Sequence, residues 1–347
     1  MACVAALLAA ALACVPATVA DGTVYAIGDN MYCQLGIGTL PGAVNTHVDT
    51  LAEVAPHLDV TAVAAGYVRT AFLTSSGEVH AVGMWAGIEP RLITVTLVPT
   101  PSDRSGVPVV AIDSGNDHLL MLYADGQVYL GGRTDAGPCV LSDGSCGECP
   151  GSVPDVWTPQ LICGLGSASA ITAVSAGERH SMYLDADGVA WVSGLNSAGQ
   201  LGDNSTTDRA VPFAASPPGG NPVISVAAGR QHSVLVDSSG VAYGTGDNAL
   251  GQLGDGSTTN RSVWAAIPLP DTAVAAFGHS QAQISAFVSR GGLPMVMGEN
   301  GHGQLGLGFV GPQHTAAEVT TVGSDIASIT LGRFNLFFIA SDGRVSH

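Results

Sequence analysis

The chain of 347 residues has 11 basic residues, all of them Arg, against 28 acidic ones, giving a net charge of −17 at neutral pH. Proteins that grip nucleic acid or anionic membranes do so with clustered Lys and Arg, whereas the arginines here stand singly from Arg69 to Arg344, which argues against both partners. Hydrophobic residues make up 46% of the chain and charged residues only 11%, and the 46 glycines suit short strands and tight turns better than long helices.

Residues 1–20 carry no charge and hold an apolar run from Val4 to Cys14, a break at Pro16 and a small-residue end at Ala20. This resembles a secretory signal cleaved before Asp21, although the usual basic start is missing. A lipoprotein anchor at Cys14 and an uncleaved apolar start are the alternatives. The expected location is therefore outside the cell or on its surface. No later stretch is apolar for long enough to span a membrane.

From Asp21 onward one pattern recurs. A small residue and a Gly are followed by two variable residues, usually a His, and then an apolar run. The copies start at Gly66, Gly115, Gly177, Gly229, Gly278 and Gly332, and three of them carry His118, His180 and His232. About ten residues after each Gly comes a turn, at Gly77, Gly126, Gly188, Gly240, Gly291 and Gly343. From Asp21 to Asp342 six repeats span 321 residues, a mean period of about 53.5.

Each repeat reads as four short strands. In the best-formed one these are Val223–Ala227, Ser233–Asp237, Val241–Gly246 and Ser262–Ile267, with the reversal at Gly240. A lone four-stranded sheet leaves an apolar face bare, so neighbouring units must stack on it, and a ring completes the cover. The expected fold is all-β: a β-propeller of four-stranded blades, six or seven in number, over residues 21–347. The sequence runs out at Val345, where a strand like Val24–Ile27 is due. Either residues 22–27 complete a sixth blade, competing with the C-terminal stub for one slot, or the chain is a fragment.

A Gly-rich loop follows the third strand. It reads GLNSAGQLG at 194–202, GDNALGQLG at 246–254 and GENGHGQLG at 298–306, with a degenerate GDNMYCQLG at 28–36. Together with the Gly-x-x-His element, these loops resemble the regulator of chromosome condensation repeat. The resemblance covers residues 21–347 and implies a β-propeller, usually seven-bladed. The second and third repeats lack the loop motif. For some members the resemblance implies guanine-nucleotide exchange on a small GTPase, and no exchange residue can be transferred to this chain by motif.

Cys139, Cys146, Cys149 and Cys163 crowd one segment, read as an insertion at 137–165. In an exported chain disulfides are the leading reading, with zinc at the Cys146/Cys149 pair and unpaired thiols as alternatives. The repeated histidines are read as structural, each hydrogen-bonding backbone beside its Gly, rather than as metal ligands. GxGxxG matches at 301–306 and 306–311 fall in the repeat loop and lack the helix a dinucleotide site needs. The hydroxyl-rich loops at Asp203–Asp208 and Asp255–Asn260 could offer oxygens to calcium, but turn chemistry accounts for them. They also contain glycosylation sequons at Asn204 and Asn260, relevant only in a eukaryotic host.

No nucleophile elbow, metalloprotease motif or P-loop occurs. The expected function is a non-enzymatic scaffold that binds an unidentified protein, or a glycan, with one rim of the ring. It is expected to act as a monomer without cofactor or metal. Candidate contacts are the loop aromatics Tyr32, Trp85, Trp157 and Phe309. Exchange on a small GTPase and capping of a secreted enzyme, as a secreted relative of this propeller class does with β-lactamase, are alternatives. A channel enzyme is the remaining class.

Overall fold

The computed structural model describes residues 7–9, 24–30, 33–37, 47–84, 92–132, 138–140, 146–148, 156–165 and 169–346. The chain is a six-bladed β-propeller whose five complete blades are antiparallel four-stranded sheets; among the described residues the only helices are two single 3-10 turns, Ser102–Arg104 and Thr320–Val322. Within each blade strand a lies innermost and strands b, c and d follow outward. Blade 4 shows the plan: Val223–Ala228, His232–Asp237, Ala242–Gly246 and Arg261–Ile267. Blades 1, 2, 3 and 5 repeat it, with b strands at Arg69–Thr74, His118–Tyr123, His180–Asp185 and Ile284–Ser289. All six residues of each of these b strands are buried, because both faces of a blade meet a neighbour.

The two ends of the described chain carry complementary halves of a blade. The C-terminal sheet has strand a at Ile326–Leu331 and strand b at Leu336–Ala340. The N-terminal sheet has Val24–Asp29 and His47–Val54, which correspond to strands c and d. The contested slot is filled twice over. Val345–Ser346 takes the outer edge of Leu336–Ala340, and Leu7–Ala9 runs parallel to the inner edge of Val24–Asp29. The N-terminal sheet packs on blade 1 through Val24, Ala26, Leu35 and Val54, and the C-terminal sheet packs on blade 5 through Ile329, Leu331 and Phe338.

Strand a carries the same defect in every blade. Its pairing with strand b skips one residue, and the skipped residues are Thr61, Val110, Thr172, Ile224, Val274 and Ala327. Each is exposed although it sits on the innermost strand. A β-bulge of this kind sharpens the local twist. It places six side chains at the channel end where the b–c turns lie, and none of them is charged.

The segment expected as an insertion at 137–165 is only partly extra chain. Pro138–Val140 and Cys146–Glu148 form a small ribbon in which Val140 faces Cys146. Val156–Leu161 is the regular strand d of blade 2, paired with Val128–Gly132. The insertion thus lengthens a c–d connection, where it leaves the blade intact. Cys163 is buried just after that strand. Cys149 lies outside the described residues.

Candidate functional site

The blades place two kinds of loop on one end of the ring: the a–b loops around the channel and the c–d loops outside them. The b–c turns and the d–a links lie on the opposite end. The first end is the loop face and holds the candidate site.

The c–d loop motif is a self-contained hydrogen-bonded unit. Asn30, Asn196, Asn248 and Asn300 each accept a bond from the amide of the Leu five residues on, at 2.9–3.0 Å. Gln200, Gln252 and Gln304 each accept from a backbone amide two residues earlier. The Leu is buried in every copy. In the degenerate copy Cys33 takes the left-handed position (φ 65°) that Gly199 (φ 84°) and Gly251 (φ 80°) hold elsewhere. Each loop then docks on the following blade, for instance where Thr70 donates to the Gln34 carbonyl at 2.7 Å and Ser285 to the Gln252 carbonyl at 2.6 Å. These polar residues are the joints of the scaffold.

Histidines tie the blades together in a second way. His118, His180 and His232 each put Nε2 within 2.9–3.1 Å of a serine hydroxyl on the next blade, at Ser181, Ser233 and Ser285. The Nε2 partners named here are side chains across the seam, and His180 and His232 also bond backbone there, at His232 and Ile284. Burial holds His118 and His180 down to about 3 and His232 to about 4, so all three rings are neutral at physiological pH. A serine beside a histidine can be a catalytic pair, but these sit beneath the surface, and Ser285 already donates to a carbonyl. The series ends on both sides. Blade 1 has Arg69 in the His position and reaches the Asn116 carbonyl at 2.6 Å. Between blades 5 and 6 the matching residues are Ile284 and Leu336, and that seam is apolar.

The glycine before each His is set by close approach. A Cβ on Gly177 would lie 2.1 Å from the His180 ring and 2.8 Å from the carbonyl oxygen of Gly229 on the next blade. Gly66, Gly115 and Gly229 are crowded in the same way, by a neighbouring carbonyl or by the ring of the following His. Gly332 closes its loop on Asn335 as Gly229 does on His232.

Blade 5 departs from this plan: the copy read from sequence at Gly278, which puts Gln281 three residues on in the His position, is corrected. Ile284 pairs with Gly298 as His232 pairs with Gly246, so Ile284 holds the His position. Phe277 pairs with Ala286 where Ala227 pairs with Val234, so the blade 5 loop encloses eight residues rather than six. The longer loop crosses the channel mouth. His279 Nε2 bonds the Ala65 carbonyl of blade 1 at 3.1 Å, and its Nδ1 accepts from the Gln281 amide at 3.2 Å. Those partners require a neutral ring with its proton on Nε2, and burial depresses its pKa to about 4. The Gln281 side chain bonds that of Asn116 on blade 2. Beside it Glu178 accepts from Asn116, Arg230 and Gln231 at 2.8–3.3 Å. The channel is thus bridged at the loop face by a polar network that consumes its own donors and acceptors.

Outside that network lies an exposed aromatic sector. Phe309 and Phe334 are each 47% exposed, Val310 71% and Tyr67 56%. Phe309 and Val310 sit in the c–d loop of blade 5, Phe334 in the a–b loop of blade 6 and Tyr67 in that of blade 1. His302 packs edge-on against Phe334 with centroids 4.8 Å apart, and the Arg333 guanidinium lies 4.8 Å from the same ring. Of the four aromatics proposed from sequence, Phe309 is in this sector. Trp157 is on strand d of blade 2, not in a loop, while Tyr32 and Trp85 lie outside the described residues. Sequence reasoning missed Phe334 and Tyr67 because each follows a repeat Gly and reads as part of the scaffold element.

The hydroxyl-rich c–d loops bind themselves. Asp203 accepts from Asn196, Ser205 and Arg209, and Asp255 from Asn248 and Ser257, with Arg261 paired to it. Among the described residues no cluster of three metal-ligating side chains occurs.

Comparison with known proteins agrees with this architecture. Two profiles, both described as the Regulator of chromosome condensation (RCC1) repeat, match residues 21–73 and 187–236, and residues 171–200 and 223–252. The chain is 32% identical over 217 residues to the probable E3 ubiquitin-protein ligase HERC4 of Rattus norvegicus, a match covering 59% of this chain and 19% of that protein. It thus spans about a fifth of that ligase. It is 28% identical over 321 residues to the Regulator of chromosome condensation of Xenopus laevis, covering 83% of this chain and 70% of the relative. Among solved structures, human WBSCR16 superposes with a TM-score of 0.76 at 21% identity, covering 96% and 86% of the two chains. Yeast RCC1 (Prp20), solved bound to Kap60, gives 0.72 at 19%, covering 96% and 77%. The chain is a β-propeller that resembles these proteins, with the repeat matched over residues 21–73 and 171–252.

Proposed function

We propose that the chain is a non-enzymatic interaction scaffold that binds a protein partner on its loop face, through the sector built by Tyr67, Phe309, Val310, Arg333 and Phe334. One observation carries this reading. The motif Asn and Gln residues and the seam histidines of the loop face are bonded within the scaffold, while these apolar side chains stand in solvent in the loops of blades 5, 6 and 1. Exposed aromatics beside an Arg are the residue types that dominate binding energy at protein interfaces. The likeness to yeast RCC1, a propeller solved with Kap60 bound, supports a protein as partner. The experiment is hydroxyl-radical footprinting of the chain alone and with captured partner. Protection is expected at Phe309 and Phe334. Protection confined to the b–c turn face overturns the reading.

The apolar, charge-free residues 1–20 support export, which we include in the proposal. Fractionation of the native host, with detection of a chain starting at Asp21 outside the cytoplasm, tests it. Guanine-nucleotide exchange on a small GTPase is the second reading, supported by the extent of the match to the Xenopus protein. It predicts faster release of a labelled guanine nucleotide from a GTPase panel in the presence of the chain.

A further inference from the structure

We propose that Asn204 is an acceptor for an N-linked glycan and that the second sequon, at Asn260, is not. The proposal rests on the export reading, because such sugars are transferred in a eukaryotic secretory pathway.

The two sequons occupy the c–d loops of blades 3 and 4, and the repeat makes them comparable position by position. Asn260 is the counterpart of Asp208. Asp208 accepts a bond from the Asn196 amide at 2.8 Å, and Asn260 accepts one from the Asn248 amide at 2.9 Å. The Asn260 side chain therefore holds the loop in place. The rest of that sequon is equally engaged, since Arg261 pairs with Asp255 and Ser262 packs on Gly199. A carboxylate would serve as well as an amide at position 260, so the sequon there is explained by the scaffold.

Asn204 is the counterpart of Gly256. Both adopt a left-handed backbone, at φ 62° and 79°, at the tip of the loop. The Asn204 backbone is fixed by donation to the Ser262 carbonyl at 2.7 Å. Its side chain is exposed, and among the described residues nothing bonds its amide. Ser205 is tied to Asp203 at 2.7 Å, and Thr206, which completes the sequon, is exposed. A Gly would satisfy the backbone here at no steric cost, so the scaffold explains Ser205, which bonds the loop Asp and Asn as Ser257 does, but does not require an Asn at 204.

In the transfer, Nδ2 of Asn204 attacks C1 of the first sugar of a lipid-linked sugar diphosphate. The N–C1 bond forms, the C1–O bond to the diphosphate breaks, and the lipid diphosphate leaves with that electron pair. The amide gives up one proton. The folded chain leaves room for the product, since the loop tip faces solvent. Blade 3 stands opposite blade 6 in a ring of six, so a glycan at Asn204 leaves the Phe334 sector uncovered.

The test is expression of residues 21–347 behind a heterologous secretory leader in cultured eukaryotic cells, with the intact mass read before and after peptide:N-glycosidase treatment. One enzyme-sensitive glycan per chain is expected. It should vanish in Asn204→Gln and in Thr206→Ala, which leaves the Asn in place, and persist in Asn260→Gln. An unmodified chain overturns the proposal, as does a glycan that survives Asn204→Gln. A parallel arm with the chain's own residues 1–20 as leader separates the two readings. A glycan with the heterologous leader and none with the native one refutes export and leaves Asn204 an acceptor.

Discussion

His180 of blade 3 and Ser233 of blade 4 meet at 2.9 Å across the seam between their blades, both beneath the surface. The same contact joins blades 2 and 3 and blades 4 and 5. It links the repeat period to the closed architecture, because a side chain that is polar in sequence gains its partner only from the next unit.

Replacing His180 with Ala should lower stability by about 3 kcal/mol, through the cavity it leaves between two sheets. Replacing Ser233 with Ala should cost about 1 kcal/mol. In a double-mutant cycle the two changes should couple, by about 1 kcal/mol. Denaturant unfolding of the four proteins checks this, and strict additivity would show that the contact carries no energy.

Gly177→Ala should be far worse than its size suggests. Its Cβ meets a buried ring and a backbone carbonyl at once, and overpacking of this kind costs about 1–3 kcal/mol or more. Gly301→Ala is the control, since no described atom lies within 4 Å of the added carbon. It should change the melting temperature little. Equal melting temperatures for the two variants would refute the crowding argument.

Acid should unfold the protein at a mild pH. His118 and His180 titrate at about 3, and His232 and His279 at about 4, against 6.5 for a free ring. The unfolded chain therefore binds more protons below pH 6.5, and the stability these rings confer is lost as pH falls toward 4. Each contributes about 1.4 kcal/mol per pH unit in that window. Asp113, half-buried at a seam, where desolvation raises it to about 6, works the other way between pH 6 and 4, since its folded form holds a proton that the unfolded form has released. The net slope is about 4 kcal/mol per pH unit. Thermal melts at pH 7, 6 and 5 should show steeply falling midpoints, and constant midpoints would contradict the assignment.

Much of this fold was legible from periodicity. In blade 4 the strands read from sequence start within one residue of those observed, because the alternation of apolar residues and the turn glycines is local information. Blade 5 defeated the same reasoning. Phe277-Gly278 copies the Gly element in letters, yet the register of Ile284 with Gly298 shows two added residues. The turn glycine of that blade is likewise Gly292 (φ 78°), rather than Gly291. Nothing local marks such a shift; it follows from where the neighbouring strand pairs. The candidate site was less legible still. Phe309 stood out in a loop, but Phe334 and Tyr67 gain meaning only when the ring sets blades 5, 6 and 1 side by side.

Binding through the aromatic sector of the loop face is read out by comparative affinity capture. Immobilised wild-type chain, a Phe309→Ala/Phe334→Ala variant and a turn-face control, Asp342→Ala, are exposed to the same host extract, and the retained proteins are quantified. At least one protein should be retained by the wild type and the control and fall at least tenfold with the double variant. A retained set that is identical for all three would contradict the account.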